Sequence, residues 1–94
     1  MMDQIEQRVQ LRADALKLDK YARYYASDGN RVVGTYINLV DPKNQYYDVP
    51  IGKRRWIKDL RNLPGISDGG CSVVIVIYNQ VTKKVEEVSC NGVA

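Results

Sequence analysis

The stretch from Cys71 to Cys90, CSVVIVIYNQVTKKVEEVSC, decides how the rest of the chain is read. Val73 to Tyr78 is a run of β-branched residues closed by an aromatic, which suits a strand on a buried, pleated surface. Gly69 and Gly70 stand before it and break any helix entering it. Side chains alternate along a strand, so Val73, Ile75 and Ile77 point one way and Val74, Val76 and Tyr78 the other. Both sets are apolar, which predicts a strand covered on both faces and lying inside its sheet. Residues 79–83 predict a tight turn, because Asn79 and Thr82 can bond nearby backbone groups. Val85 to Cys90 is the return strand, and Lys83, Lys84, Glu86 and Glu87 dress it as an exposed edge.

The two cysteines of this hairpin are the only ones in the chain, and there is no histidine. Two thiols cannot build a four-ligand zinc site. If Asn79 pairs with Lys84, Cys90 falls opposite Val73, on the face Cys71 also occupies, where a diagonal disulfide is conceivable. The chain is polar from Met1-Met2-Asp3 onward, without a secretory signal or a membrane-spanning segment. We therefore expect a reducing, cytoplasmic setting and two free thiols.

Ninety-four residues suit one domain, spanning 1–94, with 45% hydrophobic and 27% charged residues as in ordinary globular chains. The formal charge of +3 permits an acidic partner without demanding one. Seven tyrosines and no phenylalanine predict aromatic rings that pack while their hydroxyls meet water.

Working outward from the hairpin, Asp3 and Glu6 resemble a helix start. Leu11, Ala15, Leu18, Ala22 and Tyr25 then recur at spacings of four and three, predicting one long helix from Asp3 to about Tyr25. Ser27-Asp28-Gly29-Asn30 ends it. Residues 31–40 read as a strand, in which Gly34 marks a bulge or the close approach of another backbone. Residues 41–44 read as a turn and 45–49 as a short edge strand stopped by Pro50. Trp56, Leu60 and Leu63 at helical spacing predict a second, shorter helix over residues 52–63, closed by Pro64-Gly65. The expected fold is α+β in the order α-β-β-α-β-β. It is a four-stranded antiparallel sheet with both helices packed on one face. The spare apolar surface of the first helix fits a dimer, with a monomer as the alternative.

Chemistry finds little purchase. The missing histidine removes the commonest general base and metal ligand. No phosphate-binding glycine loop is present, since Gly69-Gly70 lacks the lysine and the spacing. Glu86 and Glu87 point to opposite faces of a strand and do not converge. We expect no enzyme, no cofactor and no metal. The expected function is that of a small interaction module acting sterically through a protein partner or a second copy, with no role at a membrane. The alternative is nucleic-acid binding by the basic second helix. Lys53, Arg54, Arg55, Lys58 and Arg61 would meet phosphates there, and Tyr46 and Tyr47 would stack bases. Trp56, on the apolar stripe, is expected in the core.

Overall fold

The computed structural model describes residues 2–11, 15, 17–38, 49–63 and 70–91, with the backbone alone at 70, 71 and 91. Strands β1 (Ala22–Asp28), β2 (Arg31–Ile37), β3 (Arg54–Trp56), β4 (Gly70–Asn79) and β5 (Lys84–Asn91) form one sheet in the order β3-β1-β2-β4-β5. Pairing is antiparallel except for β3, which lies parallel to β1. Among the described residues one α-helix, α1 (Met2–Arg8), and single turns of 3-10 helix at Leu18–Lys20 and Leu60–Asn62 accompany it. The expected four antiparallel strands carrying two helices are thus corrected to a five-stranded mixed sheet with one short helix.

The hairpin that anchored the sequence reading forms as expected. β4 lies inside the sheet between β2 and β5, and Val73, Val74, Val76 and Tyr78 are buried. β5 is an edge. The turn is built by Asn79, whose Oδ1 accepts from Val81 N at 2.8 Å and Thr82 N at 3.1 Å. Asn79 pairs with Lys84 and Tyr78 with Val85, but Ile77 pairs with Glu87. Glu86 is therefore an extra residue in the edge strand, a β-bulge. From there on the pairing differs by one, so that Cys90 lies opposite Val74 rather than Val73.

The long N-terminal helix is where the sequence misled. Among the described residues α-helix covers Met2–Arg8, and from Ala22 the chain is a strand. A strand over these residues places Arg23 and Tyr25 on one face and Ala22, Tyr24 and Ala26 on the other. Both sets are buried, so backbone pairing with β2 offers more cover than one helical stripe would. The residues read as a helix end, Asp28-Gly29-Asn30-Arg31, are instead a hairpin: Asp28 pairs with Arg31, and Gly29 takes φ 61° at the first central position. That conformation favours glycine and suits the twist of a two-residue hairpin turn.

The second helix is corrected too. Residues 54–56 are β3, and only Leu60–Asn62 coils, capped by Asp59 Oδ1 accepting from Arg61 N at 2.9 Å. Residues 39–48 lie outside the described residues. They include the predicted 41–44 turn and all of the predicted 45–49 strand but Val49.

Two apolar layers sandwich the sheet. On one face Ile5 of α1 packs with Tyr21, Tyr25, Val32, Tyr36, Val74, Val76 and Tyr78, bordered by Val85 and Val88 of β5. On the other, Ala22, Tyr24, Ile37 and Val49 cluster with Ile57 and Leu63. All five described tyrosines are buried, against the expectation of wet hydroxyls. Each buried polar side-chain atom among the described residues has a hydrogen-bond partner. Cys90 is disulfide-bonded, which corrects the expectation of free thiols; the chain's other cysteine, Cys71, lies on β4.

Gly34 sits opposite Tyr25 in the β1–β2 ladder. A Cβ there would lie 3.1 and 3.2 Å from the Tyr25 ring and 3.2 Å from Tyr36. An aromatic ring, rather than a backbone, therefore makes the close approach. We expect Gly34→Ala to destabilise the fold by about 1–3 kcal/mol in urea unfolding, because two packed rings must shift. Reduction of the disulfide under native conditions should lower stability by about 2–4 kcal/mol. An unchanged denaturation midpoint after thiol treatment would contradict this.

Candidate functional site

The residues singled out from sequence are split by the fold. Lys53 and Arg55 are exposed, as is Lys58 just beyond the strand. Arg54 is turned inward to α1: its guanidinium is bonded to Asp3 Oδ1 and lies 3.2 Å from Glu6 Oε1. That guanidinium holds the Asp3 carboxyl below the usual carboxylate range. Arg61 is committed to Asp59, with Nη2 2.9 Å from Oδ2. Tyr46 and Tyr47 lie outside the described residues. The single basic helical face does not exist, and Arg54 and Arg61 serve local structure.

What remains at this margin is an edge strand with an exposed aromatic. β3 is tied to the sheet by backbone bonds: Arg23 N donates to Lys53 O at 3.0 Å and Ile57 N to Tyr25 O at 2.6 Å. Gly52, at φ 90°, turns the chain into it and donates to Tyr21 O at 3.0 Å. Alternation puts Arg54 and Trp56 on the α1 side and Arg55 on the other. Trp56 keeps 39% of its surface exposed and Ile51 48%, so the tryptophan is not the core residue expected. Among the described residues no strand covers the outer edge of β3.

Sequence reasoning missed a second constellation, a polar clasp between α1 and the sheet. Tyr25 OH donates to Glu6 Oε2 at 2.7 Å, and Arg23 Nε donates to the same oxygen at 3.1 Å. Tyr25 and Tyr36 hydroxyls are 2.6 Å apart, and since Tyr25 has given its one hydrogen to Glu6, Tyr36 is the donor. Arg23 Nη1 also donates to Leu18 O at 2.7 Å. The two rings meet edge to face with centroids 5.7 Å apart. The signal was the alternation of Tyr21, Arg23 and Tyr25, hidden by a competing helical spacing. Both Tyr25 and Tyr36 are fully buried, which keeps their hydroxyls from any substrate and makes the clasp structural.

Among the described residues no three His, Cys, Asp or Glu side chains gather to hold a metal ion. No helix among them is long and apolar enough to cross a membrane.

Burial raises the pKa of both clasp tyrosines, that of Tyr36 to about 12 against an ordinary 10. A tyrosine with a raised folded-state pKa holds its proton more tightly folded than unfolded. Its contribution is complete below pH 10 and is lost as pH climbs from 10 through about 12. The thermal midpoint should fall steeply over that window, in step with tyrosinate absorbance. A flat midpoint across it would contradict the clasp.

No protein-family model matches the chain, and no curated protein or solved structure matches it.

Proposed function

We propose that the chain is a small, non-catalytic interaction module whose contact surface is the β3 margin, and that its partner is a protein. The observation that carries this reading is Trp56, 39% exposed on an edge strand instead of packed in the core. Tryptophan and arginine are enriched where proteins meet, and truncating them there removes most binding energy. Ile51 is also exposed just ahead of the strand, and Lys53 and Lys58, exposed at its two ends, add positive charge suited to an acidic segment. The edge backbone of β3 adds a template for an incoming strand.

A second reading gains from the same residue. An exposed tryptophan among cations also suits stacking on single-stranded nucleic acid, now from an edge strand rather than a helix. The disulfide at Cys90 weighs against the cytoplasmic setting expected from sequence, since such bonds persist in oxidising compartments. We place the module in one of those.

Trp56 is the chain's only tryptophan, so its fluorescence reports this surface alone. The charge reversals Lys53→Glu and Lys58→Glu should leave stability within about 1 kcal/mol, as exposed positions do, and Trp56→Ala, whose ring is about three fifths covered, should cost about 1–3 kcal/mol with the chain still folded. They should abolish capture of the native partner. Capture that survives Trp56→Ala overturns the assignment of the surface. Quenching of Trp56 by a single-stranded oligonucleotide, with affinity falling steeply in salt, overturns the protein partner in favour of nucleic acid.

A further inference from the structure

We propose that a depression at the opposite margin of the sheet, between the end of α1 and the β4–β5 turn, binds a small molecule carrying two or more phosphoryl groups. Arg8, Thr82, Lys83, Lys84 and Val85 line it, around a volume of about 540 Å³. It is open to solvent, with Arg8, Thr82, Lys83 and Lys84 all exposed, as suits a highly charged ligand. The cations come from segments more than seventy residues apart in sequence. Packing of α1 against the sheet, with Val85 bordering the same apolar layer as Ile5, brings them together.

These cations differ from the arginines that belong to the scaffold. Arg23, Arg31, Arg54 and Arg61 all hold carboxylates. Arg8 reaches only a backbone carbonyl, with Nη1 3.3 Å from Gln4 O, and neither Lys83 nor Lys84 has an ion-pair partner among the described residues. The acids of β5 are engaged elsewhere. Glu86 accepts from Arg31 at 2.6 Å and from Asn79 at 3.3 Å, and Glu87 accepts from Ser89 Oγ at 3.2 Å. Among the described residues no carboxylate lines the depression.

The backbone adds an independent observation. Lys83 has φ 58°, the one non-glycine residue with positive φ among the described residues. That conformation disfavours a lysine, and glycine would adopt it freely. The turn is otherwise well made, through Asn79. A hairpin turn commonly takes a left-handed residue near its end, and a lysine stands at this one where glycine would fit more easily. Here it keeps an ammonium beside a second lysine and a guanidinium.

The chemistry of the lining is that of an anion receptor. Arg8 supplies a planar fork that matches phosphoryl oxygens, and the two lysines supply mobile point charges. Thr82 adds a hydroxyl, and Val85 forms an apolar wall for the uncharged part of a ligand. Clustering three cations without an acid is unfavourable in the free protein and is relieved by a multivalent anion.

The test uses the whole oxidised chain and two probes, sodium tripolyphosphate and adenosine triphosphate, followed by amide NMR. Saturable shifts are expected at Arg8 and residues 82–85 with at least the first probe. If the nucleotide binds more tightly than tripolyphosphate, the Val85 wall contributes to recognition. Lys83→Gly should unfold about 3–5 °C above the parent, because strain is relieved. Its affinity should nonetheless drop about tenfold, and Arg8→Gln should weaken binding similarly. Shifts that gather elsewhere, an affinity unchanged in both variants, or saturation by an oligonucleotide but by neither small probe would overturn the site.

Discussion

The Glu6 carboxylate is the constraint on which the assembly of this fold turns. A helix of seven residues has too few internal hydrogen bonds to persist alone. α1 persists because consecutive residues do two jobs. Ile5 is fully buried in the tyrosine layer, and Glu6 beside it accepts from Tyr25 and Arg23 and pairs with Arg54. Those donors belong to β1 and β3, so one side chain fixes the helix to the sheet and the short parallel strand to its edge. Such an ion-pair cluster is not a large net source of stability against an apolar equivalent. Its weight is in specificity, because any other docking of α1 strands two guanidinium groups away from their carboxylate.

This sheet does without phenylalanine by burying hydroxyls in pairs and chains. Tyr36 donates to Tyr25, Tyr25 to Glu6, and Tyr24 OH accepts from Val49 N at 3.1 Å on the other face. A buried tyrosine that finds its partner packs like phenylalanine and adds direction to the packing. Basic residues divide in the same spirit. Arg23, Arg31, Arg54 and Arg61 meet carboxylates and are part of the scaffold, while Arg8, Lys83 and Lys84 gather at one margin of the sheet.

The β4–β5 hairpin was legible because its evidence is local: a β-branched run, a turn residue that bonds its own backbone, and a charged return strand. Residues 18–28 were illegible for a physical reason. Leu18, Ala22 and Tyr25 satisfy a helical spacing, while Tyr21, Arg23 and Tyr25 satisfy an alternating one. Periodicity cannot choose between them when both Ala22 and Arg23 end up buried. Gly29-Asn30 between two alternating runs was the decisive cue, and it was read as a helix stop. At residues 53–61 the sequence showed which side chains are basic but not which would be neutralised. Asp3 and Glu6, some fifty positions away, claim Arg54, and no spacing rule reaches that far. The exposed Trp56 was masked by the same false helix. The cationic depression had no sequence signature, since Arg8 and Lys83 become neighbours only through the fold.

The bulge at Glu86 has a consequence for how β5 tolerates change. Were the pairing of Asn79 with Lys84 continued without the extra residue, Glu87 would stand opposite Val76, on the apolar face under α1, and Val88 opposite Ile75. The inserted residue reverses that parity, so Val88 enters the tyrosine layer and Glu87 faces out. It also sets Cys90 beside Val74. The strand is thus constrained in register more tightly than in composition. Removing Glu86 would leave the remaining glutamate opposite Ile77 and Val88 opposite Val76, whereas closing the bulge with both glutamates in place would drive a carboxylate into the core.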